Sequence, residues 1–419
     1  MNIIVILLLL FFLVKLWTDF DKYVIIAAAW ILPLQMLVIG SFTLMNVIAI
    51  IVIAVSIIKR RDSVGNFPFW VPTVLLIASI TLSNMFGHYR HWGSCLQMIT
   101  LNALFPYYFW SVTNSRPKIM LFIKHSFIFL CLLVIYGLFE EITRENPLIE
   151  FMMTNDAFVK SIYNTSEIRF GMKRLQSFLP LCGALGCCCT MNFLLFGYLQ
   201  KNKSIISFSY QKYVPYLLAG MFLCLLFTGS RSVIAGFFVM LLYFMNVKSF
   251  KSPKFLLAMP FIFFALFLSV GFFAKILESF TNTESVGGSN SGMREMQFVL
   301  ALYFMMRAPF LGNGLAYTFE YVQASYPDEI LGAESVWLPL MIDQGILGVV
   351  AYLLYLIVPL WYGVSKKNYV VALCVLSFAI EKSLSSLPGI HITYFMIYVI
   401  MFMKISDIYG IGIKRIRRA

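Results

Sequence analysis

Charge is what this sequence has least of. Asp, Glu, Lys and Arg make up 12% of its 419 residues, half the roughly 25% usual for a soluble domain. That shortage excludes a cytosolic globular protein, and the same composition excludes disorder, collagen and coiled coil. Paired cysteines are also missing. The eight cysteines contain no C-x-x-C, and Cys187, Cys188 and Cys189 run together inside an apolar stretch. Neither a zinc site nor a disulfide framework has that spacing, so the three read as small helix-packing residues. No internal repeat is visible. Residues Met1 to Leu13 lack a basic n-region and a small-residue cleavage site, so they read as a retained helix and not a signal peptide.

What is present in abundance is apolar surface: 60% of the residues are hydrophobic and 17% aromatic. Apolar runs close to the ~20 residues that cross a bilayer recur at 2–17, 23–39, 42–58, 67–86, 93–112, 119–139, 176–199, 214–229, 232–246, 255–274, 336–362, 369–385 and 388–405. The expectation is an all-α polytopic membrane protein with about 12–14 transmembrane helices, thirteen by charge parity. Residues 1–139 form an N-terminal transmembrane set, 176–274 a central set, and 336–419 a C-terminal set with a basic tail. Two connections, 140–175 and 275–335, are far longer than ordinary connections.

Lysine and arginine orient the chain. Strict alternation puts Lys22, Lys59 to Arg61, Arg116, Lys118, Lys201, Lys203, Lys212, Lys248, Lys251, Lys254, Lys366, Lys367 and the four basic tail residues on one side. That side carries 18 basic residues against four acids, whereas the other carries 11 against 15. The lysine-rich side is the expected cytoplasm, and it includes the C-terminus. Both long loops are then extracytoplasmic. The net charge of +13 therefore records orientation in a membrane, and no nucleic-acid partner is expected.

On the outer side a few charges lie close to the bilayer. Arg231 follows Thr228-Gly229-Ser230 in a turn between two apolar runs. An arginine at membrane depth costs at least about 2.5–3.5 kcal/mol, so it either snorkels or faces a polar cavity or anion. The donors beside it weigh towards the anion. The second long loop ends in Gly287-Gly-Ser-Asn-Ser-Gly-Met-Arg294, a hinge followed by a helix start, and then reaches Arg307-Ala-Pro309-Phe-Leu-Gly312-Asn-Gly314. Glu334 stands at the mouth of the next span, with Asp343, Gly345 and Gly348 beyond it. Simple solvation is the plainer use of such a carboxylate.

Three of these segments resemble the O-antigen polymerase/ligase superfamily of bacterial surface-polysaccharide assembly: Thr228 to Arg231, Arg294 through Gly314, and Glu334 through Gly348. Arg174-Leu-Gln-Ser177-Phe178 ahead of Gly183 and Gly186 is similar to the family's arginine at the end of the earlier outer loop. Ligases of this superfamily carry a histidine eleven positions before a glycine. Here Glu334 holds that place relative to Gly345, a departure that favours a polymerase.

The resemblance implies a GT-C-like, metal-independent glycosyltransferase of the bacterial inner membrane, without a cofactor. Its substrates would be oligosaccharides on undecaprenyl pyrophosphate, presented by the bilayer, with a chain-length regulator as a further partner. Glu334 would be the base that takes the acceptor proton. Arg174, Arg231 and Arg294 would clamp the leaving pyrophosphate, with Arg307 behind them. The readings that compete are a ligase moving finished glycan to another acceptor, and a flippase or small-molecule transporter. A transporter commonly shows paired halves and midplane charges, which this sequence does not.

Other polar groups read as structural. Asp19-Phe-Asp21 falls in a short cytoplasmic loop as solvated charge. His88, His91 and their neighbours read as an aromatic belt, and His125 and His391 as packed within spans. Glu381-Lys382 suggests pairing between helices. Tyr317, Phe319 and Tyr321 are either loop packing or sugar-stacking aromatics.

Overall fold

The computed structural model describes residues 2–39, 42–59, 67–155, 168–169, 172–244, 291–327, 329, 333–385 and 390–411. Within them the chain is nearly all helix. The exceptions are two antiparallel pairs of two-residue strands, one pairing Val38 with Thr43 and the other Ile168 with Lys173.

In chain order the helices are α1 (Asn2–Thr18), α2 (Phe20–Ala29), α3 (Ile31–Met36), α4 (Leu44–Ile58), α5 (Trp70–Phe86), α6 (Trp92–Met98), α7 (Phe105–Val112), α8 (Arg116–Thr143) and α9 (Pro147–Asn155). Then come α10 (Cys182–Lys201), α11 (Val214–Phe227), α12 (Arg231–Leu241), α13 (Ser291–Arg307), α14 (Gly345–Ser365), α15 (Tyr369–Ser383) and α16 (Ile390–Tyr409). Three π-helical segments interrupt them: Ile99–Leu104, Thr318–Val322 and Leu340–Gln344. Apart from 255–274, each predicted span coincides with a helix or a joined pair. That span lies outside the described residues, as do Lys248, Lys251, Lys254, Arg60, Arg61, the hinge at 287–290 and the tail from 412.

Lipid explains the preference for helix, because no water is present to satisfy a free backbone group. Among the described residues four stretches are long and apolar enough to cross a bilayer: Arg116–Thr143, Cys182–Lys201, Trp337–Ser365 and Ile392–Tyr409. Large apolar side chains also point outward, among them Ile142, Tyr216 and Trp361, each more than 70% exposed. In water such a surface would aggregate, whereas in lipid it is matched to its solvent. This is a polytopic all-α membrane protein.

Helix α10 runs through the centre of the bundle, with Cys187, Cys188 and Cys189 buried as packing residues. A Cβ on its Gly186 would lie 2.5 Å from the Val233 side chain, so the small residue lets α10 and α12 approach closely. Gly183 has no such neighbour. Beside the main core lies a smaller one, in which Ala301 and Phe304 of α13 meet Tyr317, Val322, Ala333, Leu338 and Ile342. That second core packs the described residues between α13 and α14 into a folded cap.

Candidate functional site

The arginine turn comes first. Helix α11 ends at Phe227 and α12 begins at Arg231, with Gly229 at a φ of 59° closing the turn between them. Thr228 is fully buried, and its hydroxyl donates to the Leu225 carbonyl at 2.7 Å. The strand that leaves the first long loop docks on this turn. Arg174 Nε donates to the Thr228 carbonyl at 2.8 Å, and the Leu175 N–H donates to the Phe227 carbonyl at 3.0 Å. Two arginines separated by 57 positions in sequence thus flank one turn.

A residue that the sequence presented only as a loop boundary holds that strand. Glu140, 2% exposed at the end of α8, accepts the backbone N–H of Ser177 at 2.6 Å and that of Gln176 at 3.4 Å. Asn146 Nδ2 donates to the Ser177 carbonyl at 2.6 Å. Ser177 takes a left-handed φ of 55°, a conformation unfavourable for an L side chain unless its surroundings enforce it. These bonds fix the backbone just after Arg174.

The second half of the site pairs Arg294, in the first turn of α13, with Glu334. Arg294 Nη2 lies 3.2 Å from Glu334 Oε2, with side-chain exposures of 38% and 29%. The backbone N–H of Glu334 donates to Gln297 Oε1 at 3.4 Å. Helix α15 touches both α12 and the segment that follows Glu334. Gly236 of α12 sits against Ser377, whose hydroxyl donates to the Gly236 carbonyl at 2.7 Å. Two residues after Glu334, the Val336 N–H donates to the Lys382 carbonyl at 3.0 Å, and Trp337 Nε1 donates to Ser383 Oγ at 2.9 Å.

The glycines of the motifs act as joints. Gly312, Gly314 and Gly345 all have positive φ. A Cβ on Gly312 would fall 2.2 Å from the Asp343 carbonyl oxygen, and one on Gly314 would fall 2.0 Å from that of Tyr89. The Gly314 N–H donates to the Asp343 carbonyl at 3.1 Å, and the Ile346 N–H donates to that of Pro309 at 2.8 Å. Backbone therefore meets backbone at the approach to α14, and only glycine leaves room. The carboxylate of Asp343 is buried there, accepting the Thr318 N–H at 2.8 Å and hydroxyl at 2.6 Å.

Some predicted residues are placed elsewhere. Arg307 was expected behind the arginine clamp, but α13 is continuous from Arg294 to Arg307. At 1.5 Å per residue this sets the two about 20 Å apart along the axis. Arg307 instead lies over the Tyr303 ring, 4.9 Å from its centroid. Asp19 caps α2 and Asp21 pairs with Lys118 at 2.6 Å. His125 accepts from Trp30 Nε1 at 3.2 Å, while the side chain of His391 lies outside the described residues. Glu381 and Lys382 were expected to pair with another helix; they are buried and pair with each other at 2.9 Å. His91 lies 3.6 Å from Glu320, and the Glu320 carboxylate beside Tyr89 pushes that phenol above its ordinary pKa. The 88–92 connection is thus docked on the cap. Tyr317 is buried and stacks on Tyr321, centroids 4.8 Å apart, whereas Phe319 stays 41% exposed.

The chain has no match among curated proteins. Residues 216–353, which run from α11 through Arg231, Arg294 and Glu334 into α14, match the family model described as O-Antigen ligase. The match covers part of the chain and supports a likeness to the O-antigen polymerase/ligase superfamily, whose members are membrane enzymes of O-antigen processing.

Proposed function

We propose that the protein is a repeat-unit polymerase of O-antigen or capsular polysaccharide. It transfers a growing glycan from undecaprenyl pyrophosphate onto a new lipid-linked repeat unit, at the outer face of the bacterial inner membrane. The observation that carries this reading is the Arg294–Glu334 pair at 3.2 Å, which sets a proton acceptor beside a guanidinium on a partly open surface. Arg174 and Arg231 flank the turn that leads into α12, a helix packed on α15.

The acceptor hydroxyl attacks the anomeric carbon of the donor glycan, and its proton passes to a Glu334 carboxylate oxygen. As the new C–O bond forms, the bond from that carbon to pyrophosphate breaks and its electron pair stays on the phosphate oxygen. Arg174, Arg231 and Arg294 supply bidentate donors and positive charge to that oxygen without a metal. On this reading the cap faces outward, and the lysine-rich connections and C-terminus face the cytoplasm.

Replacing Glu334 by Gln keeps its size and removes the proton acceptor. Expected are normal membrane insertion, elongation slowed by ~10²–10⁴-fold and accumulation of single lipid-linked repeat units. Long chains at normal rate in that variant would remove the base assignment. One observation favours a ligase: the matched family carries that description. Surface glycan from a deletion strain separates the two. A lost ladder with one repeat unit retained identifies a polymerase, whereas stored long lipid-linked polymer identifies a ligase.

A further inference from the structure

Two of the three π-helical segments among the described residues line one cavity, and the helix turn that leads into the remaining one supplies another part of its wall. Its volume is about 210 Å³. Gln97 stands two residues ahead of the first segment, Phe319 lies in the second, and Asp343 and Gln344 end the third; all four line the cavity, as does Ser94. A π-helical turn widens the ring of hydrogen bonds and re-aims side chains, and such turns gather at functional sites. Ala316, also in the lining, has a left-handed φ of 66°. Backbone strain of that kind at a non-glycine residue persists where the surroundings enforce it, and it too gathers at binding sites.

The lining has a definite chemistry. Phe319 offers an exposed aromatic face. Asp343 and Gln344, 6% and 4% exposed, line the cavity from a rigid support. Thr318 holds the carboxylate through two hydrogen bonds, and Ser79 Oγ donates to Gln344 Oε1 at 2.9 Å. Asn46 Nδ2 donates to Gln97 Oε1 at 3.1 Å. Among the described residues no arginine or lysine lines the cavity, so there a phosphate would meet a carboxylate with no positive charge to offset it. Most of the wall is apolar, with Met98, Leu315, Ala316, Pro339 and Leu340 beside Phe319. A carboxylate, amides and a hydroxyl add a polar edge, a combination that suits a neutral ring with one apolar C–H face and several hydroxyls. The volume is below the roughly 300–1,000 Å³ of drug-sized pockets, and it suits a single ring of a glycan whose other rings extend outside.

We propose that this cavity is a monosaccharide-binding subsite, where Phe319 stacks on the apolar face of one neutral sugar ring while Asp343, Gln344, Gln97 and Ser94 contact its hydroxyls. Pro339 and Leu340 form part of its wall, so it follows Glu334 directly along the chain. The inference rests on the polymerase reading for its substrate: the ring belongs to the repeat unit, and the cavity holds it in register while chemistry proceeds at Glu334.

The test uses full-length protein in lipid nanodiscs and saturation-transfer NMR with neutral methyl glycosides. The panel contains glucose, galactose, mannose, rhamnose, N-acetylglucosamine and N-acetylgalactosamine forms, with phosphoethanolamine as a lipid-headgroup control. Expected is transfer to the ring protons of at least one glycoside, weakened about 3- to 10-fold in Phe319→Ala and retained in Phe319→Tyr. The Glu334→Gln variant should bind that glycoside as the parent does. Loss of the polymerase reading would show as long chains in Glu334→Gln with glycoside binding intact. The subsite itself is overturned if no glycoside shows transfer, if Phe319→Ala binds undiminished, or if phosphoethanolamine is the ligand in place of the sugars.

Discussion

The two halves of the candidate site hold their charges in different ways. Around Arg174 and Arg231 the backbone does the holding: Leu175 bonds to Phe227, Arg174 to the Thr228 carbonyl, and Gln176 and Ser177 to the buried Glu140. Around Glu334 a side-chain ion pair spans α13 and the lead-in to α14, with both partners about a third exposed. An ion pair this open contributes about 0–1 kcal/mol, so exchanging partners costs little. On the proposed mechanism the leaving pyrophosphate gains negative charge as its bond to the anomeric carbon breaks, and preorganised donors serve that developing charge best. A base has to meet a new hydroxyl in every cycle. On the proposed mechanism, rigidity in the first half and exchangeability in the second suit those two tasks.

Arg231→Lys tests the rigid half with the largest expected effect. Lysine keeps the charge but loses the planar fork that grips two phosphate oxygens. Elongation by purified protein on lipid-linked repeat units should fall by ~10²–10³-fold, the cost of losing one preorganised donor. Insertion and helix content should stay unchanged. Near-normal chain lengths would mean that charge alone suffices at the turn, and the contrast between the halves would collapse.

How much of this arrangement was legible in the sequence depends on range. The spans were, because an apolar run near bilayer length leaves few alternatives, and each described span is helical. The glycines of 312–314 and 345 were visible as a motif, but their reason was not. Each sits where one backbone crosses another, and that crossing is set by residues as distant as Tyr89. Glu140 and Asp343 looked like ordinary acids near span ends. Burial separates a positioning carboxylate from a solvated one, and burial of a single residue has no sequence signature. Arg307 was misplaced for a different reason. It stands thirteen positions after Arg294, and an unbroken helix between them carries neighbours in sequence to opposite ends.

Glu140→Gln sharpens the comparison at an intermediate effect. Both N–H groups donate to one oxygen, Glu140 Oε2, so a glutamine carbonyl in its place still accepts them, but replacing a charged acceptor by a neutral one weakens such bonds about twofold. If Glu140 acts by positioning Arg174, elongation should drop about 3- to 10-fold at low donor concentration and recover as donor is raised. A defect of equal size at all donor concentrations would make Glu140 a folding residue only, and the first half would then be held by the turn alone.

Arg307→Ala should have the smallest effect of the series. Its guanidinium lies over Tyr303 and Phe304 at the far end of α13, an exposed cation–π contact worth about 0.5–1 kcal/mol. Losing it would loosen the last turn of α13 without touching Arg294. Elongation should stay within about threefold of the parent, while thermal stability in detergent falls slightly. A loss matching that of Arg231→Lys would bring Arg307 to the substrate. The cap would then have to move as a whole, carrying both ends of α13 to the glycan, and the exchangeable half of the site would extend well beyond one ion pair.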